Sequence, residues 1–143
     1  MLKRSIARVA GGTLLAASLV SPAFAAPQDF VGTWVNVDSN TRGVTRVVVT
    51  TAPSNTLKVQ VFGKCHPTDC AWGTTQLTTY GSNVQDPNHK EATATYNQSF
   101  ANQLLVFALE GANSRQMSLQ SFTQFKDQSA RQNYFAQYHF KRS

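Results

Sequence analysis

Glutamate occurs only twice in the 143 residues, as Glu91 and Glu110, and cysteine only twice, as Cys65 and Cys70. Leu, Ala, Glu and Lys do not dominate, which argues against long helices. Two cysteines six residues apart end to end cannot supply the two separated pairs that structural zinc sites usually draw on. No apolar run after residue 25 is long enough to span a membrane. Acids are scarce throughout: Asp29, Asp38, Asp69, Asp86, Glu91, Glu110 and Asp127. Most fall in turns or at strand ends, and none takes the mid-strand inward position a barrel glycosidase needs. No serine sits in an elbow motif. The residues therefore predict no catalytic site, no metal and no cofactor.

Basic residues are more numerous, 13 Lys/Arg for a formal net charge of +6. Three of them, Lys3, Arg4 and Arg8, lie in the first eight residues, and the chain beyond residue 25 carries ten against seven acids, about +3. They are scattered, whereas a nucleic-acid binder clusters them on one face beside aromatics. A solvated, mildly basic surface is the expectation, with no nucleic-acid partner.

The N-terminus has the three parts of a secretory signal. After the basic residues, 9–20 is apolar or small apart from Thr13 and Ser18; Ser21-Pro22 follows, then the small-x-small Ala23-Phe24-Ala25. The expected cut follows Ala25, leaving 26–143 as one exported domain, periplasmic or extracellular, of about 118 residues.

Turn signals then recur every eight to twelve residues, the spacing of an all-β barrel or sandwich. Strands are predicted over 30–37, 44–51, 56–64, 72–80, 91–98, 103–109, 115–125 and 132–142. In 103–109 both faces are apolar, so cover on both sides is expected; a helix over 98–109 is the weaker rival reading. Short links suit only adjacent antiparallel pairing. Eight strands so joined make an up-and-down antiparallel barrel, with a two-sheet β-sandwich as the alternative.

"KCHPTDCAWG" (64–73) gathers the chain's chemistry-bearing residues. Cys65, His66, Asp69 and Cys70 fall within six residues, poor geometry for a tetrahedral metal site. A redox pair wants C-x-x-C at a helix start, not C-x-x-x-x-C between strands. Export favours oxidation. A Cys65–Cys70 disulfide closing a hairpin tip is the reading that remains. Asp69 is expected to bond nearby backbone amides, and His89 and His139 are isolated. Trp72 reads either as packing over the barrel mouth or as one wall of a ligand site with Tyr80 and Phe62.

Gly32-Thr33-Trp34 near the start of the exported part, with an eight-strand meander, resembles the calycins: lipocalins, avidins and fatty-acid-binding proteins. The resemblance implies a tryptophan, Trp34, across the closed end of the barrel with a basic residue of the last strand on its ring. Arg142 shares a face with Tyr138 and Phe140 and is placed for that role. "GTWVN" is similar to the avidin pattern, in which Asn36 matches the first polar ligand contact. Val61 and Gly63 stand where that family has a tyrosine and a hydroxyl residue, and Trp72 is the only other tryptophan, so biotin binding is rejected. The runs "GTWVNVDSNTRGVTR" and "GKCHPTDCAWG" also resemble short exported bacterial proteins, which bears on compartment alone.

The sequence thus points to an exported, non-catalytic binding protein with a small ligand at the open end of a calycin-like barrel. The alternative is a protein-binding or inhibitory module acting through the stapled loop 65–72. Asn36, Phe62, His66, Asp69, Trp72 and Tyr80 are the candidate contacts.

Overall fold

The computed structural model describes residues 10–18 and 26–143. The expected cleavage site, Ala23 to Ala25, and the basic first eight residues lie outside the described residues; 10–18 is exposed without regular secondary structure. From Pro27 the chain makes a 3-10 turn to Phe30 and then eight strands, with a second 3-10 turn, Pro53–Asn55, between the second and third. These are β1 (Gly32–Asn36), β2 (Val44–Ala52), β3 (Thr56–Gly63), β4 (Cys70–Tyr80), β5 (Glu91–Asn97), β6 (Ala101–Glu110), β7 (Gln116–Phe125) and β8 (Tyr134–Arg142). Every strand pairs antiparallel with its sequence neighbours, and β1 pairs with β8, closing the barrel. This is the eight-stranded up-and-down barrel, not the sandwich. Closure gives every strand a neighbour on both sides, the shortest ladders being the three pairs of β4 with β5 and of β1 with β8. The 98–109 segment is strand, in register with β5 and β7.

Alternation decides which side chains fill the barrel. Leu57, Val59 and Val61 of β3, Leu105 and Phe107 of β6, and Met117 and Leu119 of β7 are all buried at two-residue spacing. In a single-layered barrel the other face meets solvent. The expectation that 103–109 is covered on both sides is therefore corrected: Leu104, on the outer face, is 43 % exposed.

The end near β1's start is sealed. Trp34 is fully buried and its Nε1–H donates to the Phe30 carbonyl at 2.9 Å, a bond that the 3-10 turn makes possible. The Arg142 guanidinium lies 4.2 Å from the Trp34 ring centroid. It also donates through Nη1 to the Val31 carbonyl at 2.8 Å, through Nη2 to that of Asp29, and through Nε to that of Ser114 at 3.2 Å. Gly32 is required there: its φ is +141°, and a Cβ would come within 2.9 Å of Arg142 Nη1.

Candidate functional site

The opposite end collects the inward polar residues. Asn36, Gln103, Ser121 and Thr123 are buried there, with Tyr96. Trp72 is half-buried and meets Tyr96 edge-on, ring centroids 6.0 Å apart at 86°. Its indole passes so close to Gly63 that a Cβ there would sit 2.8 Å from Nε1. Tyr96 donates its hydroxyl to the Gly73 carbonyl at 2.9 Å, and burial pushes its pKa up to about 12. Burial likewise raises the pKa of Tyr138, which packs against the same core.

Little room is left. The recess between Trp72, Tyr138, Ser121 and the disulfide holds about 150 Å³. Below it the barrel is filled by Leu105, Phe107, Phe140, Met117 and the valines of β2 and β3. Pockets for drug-sized ligands run from about 300 to 1,000 Å³. Two polar atoms on this inner wall, Gln103 Oε1 and Thr123 Oγ1, are buried with no hydrogen-bond partner among the described residues.

The disulfide joins Cys65 to Cys70 with Cα atoms 5.5 Å apart. His66 and Asp69 are exposed on this loop. Asp69 accepts a hydrogen bond from Thr45 Oγ1 at 2.6 Å, so the carboxylate is held by β2 rather than by His66 or loop amides. A second recess of about 320 Å³ lies beside the loop, with Thr45, Arg46, Lys64 and Asp69 among its walls.

The other candidate contacts do not converge. Asn36 is a structural clasp: Nδ2 donates to the Val44 carbonyl at 2.7 Å and Oδ1 accepts from Asp38 N–H at 2.8 Å, closing the β1–β2 turn. Phe62 lies on the outer face, its ring 4.0 Å from the Arg46 guanidinium. Tyr80 sits eight residues up β4 from Trp72, about 26 Å away along the strand. Its hydroxyl bonds Thr93 Oγ1 at 2.8 Å. The ligand wall of Trp72, Tyr80 and Phe62 is thus corrected: strand direction separates the first two and strand alternation turns the third away.

A larger recess lies where the residue pattern drew least attention, across the outside of β5 to β8. Register brings Thr95, Leu104, Phe122 and Phe135 side by side, one from each strand. Leu104, Phe122 and Phe135 are 43 %, 43 % and 53 % exposed, and the two rings are 5.2 Å apart. Two residues along, Asn97, Asn102 and Gln124 form a parallel amide row. Asn133, just before β8, continues it and accepts from Phe125 N–H through Oδ1 at 2.9 Å. Tyr96, Gln103, Thr123 and Tyr134, the alternate residues of the same four strands, complete the lining between the rows. Its volume is about 750 Å³, five times that of the mouth. Three interstrand steps make it about 14 Å long.

The only sequence signal for this trough is an apolar residue at outward positions of adjacent strands. Leu104 shows it within the doubly apolar segment; Phe122 and Phe135 gain meaning only once the register aligns them. The trough's walls carry no carboxylate, imidazole or thiol. Among the described residues no three His, Cys, Asp or Glu side chains gather as metal ligands, and no helix is long and apolar enough to cross a membrane. No protein-family model, curated protein or solved structure matches the chain.

Proposed function

We propose that this is an exported, non-catalytic binding protein whose small uncharged ligand lies in the outer trough of β5–β8, with the filled barrel as its rigid scaffold. One observation carries the reading: the trough offers about 750 Å³ between an apolar row and an amide row, against about 150 Å³ at the mouth. Exposed apolar side chains grouped on a soluble surface commonly mark a binding site. A site on strands of a closed barrel is held in place before the ligand arrives, which lowers the entropy cost of binding. The Cys65–Cys70 bridge suits an exported protein.

The test uses benzyl alcohol, an uncharged ring with one hydroxyl, followed by ligand-observed NMR. Saturable binding that is lost in Phe122→Ser and Phe135→Ser, and kept in Ser121→Ala, supports the trough. The opposite pattern moves the ligand to the mouth, and a trough saturated neither by benzyl alcohol nor by any other neutral probe contradicts the proposal.

Loop 65–72 supports a second reading, a protein-binding tip. Its specific observation is the pair of exposed groups, His66 and Asp69, on a disulfide-closed turn beside the 320 Å³ recess. A partner bound there is unaffected by the trough substitutions and lost in Asp69→Ala.

A further inference from the structure

Resting on the trough as the binding site, we infer that its ligand is a neutral oligosaccharide chain lying across β5 to β8. The two walls ask for different chemistry from one molecule. On one side Phe122 and Phe135 present rings tilted by 46° at 5.2 Å, with Leu104 beside them. These faces match aliphatic C–H groups. On the other side, in the next outward row, stand only carboxamides, each with donor and acceptor capacity. A sugar ring has both features: a C–H face, and hydroxyls along its edge. Repeating rings continue both in one direction, as the two rows do over about 14 Å.

The polar wall is also oriented in advance. Lys126 Nζ donates to Asn97 Oδ1 and, at 3.2 Å, to Asn102 Oδ1. That fixes both carboxamides and leaves their Nδ2 groups as the available donors, suited to hydroxyl or ring oxygens. Among the described residues no group bonds the Gln124 carboxamide, which keeps both its donor and its acceptor. Charge points the same way. No acid lines the trough; Lys126 beside it is engaged by two carboxamide oxygens, and Arg131, over the Phe125 ring at 4.1 Å, pairs with Asp127 at 2.6 Å. An anionic chain finds no open cationic row, and on the β4-facing edge of β5 beyond Thr93, where the strand ladder stops, the Thr95 carbonyl is already taken by Thr75 Oγ1 at 3.0 Å, which leaves an extended peptide little to pair with.

The experiment places the labelled protein on an array of neutral and acidic glycans. Linear neutral tetrasaccharides of glucose and of N-acetylglucosamine, tetragalacturonate, a neutral hexapeptide and benzyl alcohol are then titrated by NMR. The expected result is saturable binding of a neutral oligosaccharide, with Asn97, Asn102 and Gln124 side-chain amides shifting. Affinity falls about tenfold or more in Phe122→Ala and in the Asn102→Ala/Gln124→Ala double variant. Retained thermal midpoints show that these exposed substitutions leave the fold intact. If no neutral glycan binds while the hexapeptide or benzyl alcohol saturates the trough, the ligand class is wrong and the trough reading stands. If tetragalacturonate binds more tightly than the neutral chains, the class is equally wrong. If nothing binds the trough, both fail.

Discussion

Arg142, the penultimate residue, lies over Trp34, near the start of the barrel, with its guanidinium 4.2 Å from the indole centroid. The contact ties the last strand to the first where β8 and β1 pair, so it locks closure as well as sealing one end. Three carbonyls, of Asp29, Val31 and Ser114, depend on the same side chain. Arg142→Ala is expected to cost about 2–4 kcal/mol in urea unfolding, from a cation–π contact and charge-assisted hydrogen bonds. Arg142→Lys keeps the charge and loses the fork, so it falls between. Equal stability of all three proteins would show the contact to be energetically idle.

The disulfide closes a loop of about six residues, so the double variant Cys65→Ser/Cys70→Ser loses about 2 kcal/mol. Because the bridge belongs to β3–β4 and the trough to β5–β8, ligand affinity stays unchanged. Coupled loss of stability and binding would link the two ends of the sheet.

Gln103 Oε1 and Thr123 Oγ1 test the mouth. Each is buried without a partner among the described residues. Thr123→Val removes an unpaired hydroxyl at nearly constant shape and is expected to be neutral or to stabilise by up to about 1 kcal/mol. A loss of stability would show that water or a ligand pairs with the hydroxyl.

Two surface aspartates contribute to the acid limb. Hydrogen bonds from Ser82 lower Asp86 to about 2, and hydrogen bonding by Ser129, with Arg131, lowers Asp127 to about 2. A carboxylate with a depressed folded-state pKa stabilises the fold above its unfolded value, near 3.8, and loses that contribution as pH falls towards 2. Thermal midpoints should therefore drop between about pH 4 and 2, and Asp86→Asn should flatten the drop. At the other limb Tyr96, raised to about 12 by burial, contributes below the unfolded value of 10 and loses that contribution as pH rises towards 12. Phenolate absorbance from Tyr96 should emerge only there and vanish in Tyr96→Phe.

The eight strands were legible because alternation and turn residues are local signals. Boundaries moved where a local rule gave way to pairing: 30–37 shortened because Pro27–Phe30 turns, and 72–80 lengthened to Cys70, which pairs with Gly63. The place of Arg142 was legible too: the calycin resemblance implies a last-strand basic residue on the Trp34 ring, and period two puts Arg142 on the inward face. The site was not. Asn36 reads as a ligand contact by motif, but its carboxamide is used up closing a turn. Phe62 and Tyr80 are near Trp72 in sequence, yet one points outward and the other lies at the far end of β4. The trough needs Leu104, Phe122 and Phe135 aligned from three strands, and hairpin register, not residue type, makes that alignment.

The most direct measurement is the backbone amide chemical-shift map of the protein titrated with the neutral tetrasaccharides and with benzyl alcohol. Saturable shifts are expected on the β5–β8 exterior alone, centred on Thr95, Asn102, Leu104, Phe122 and Phe135. Shifts centred instead on Trp72, Ser121 and Tyr138 at the mouth, or on Cys65 to Cys70, would contradict the trough as the binding site.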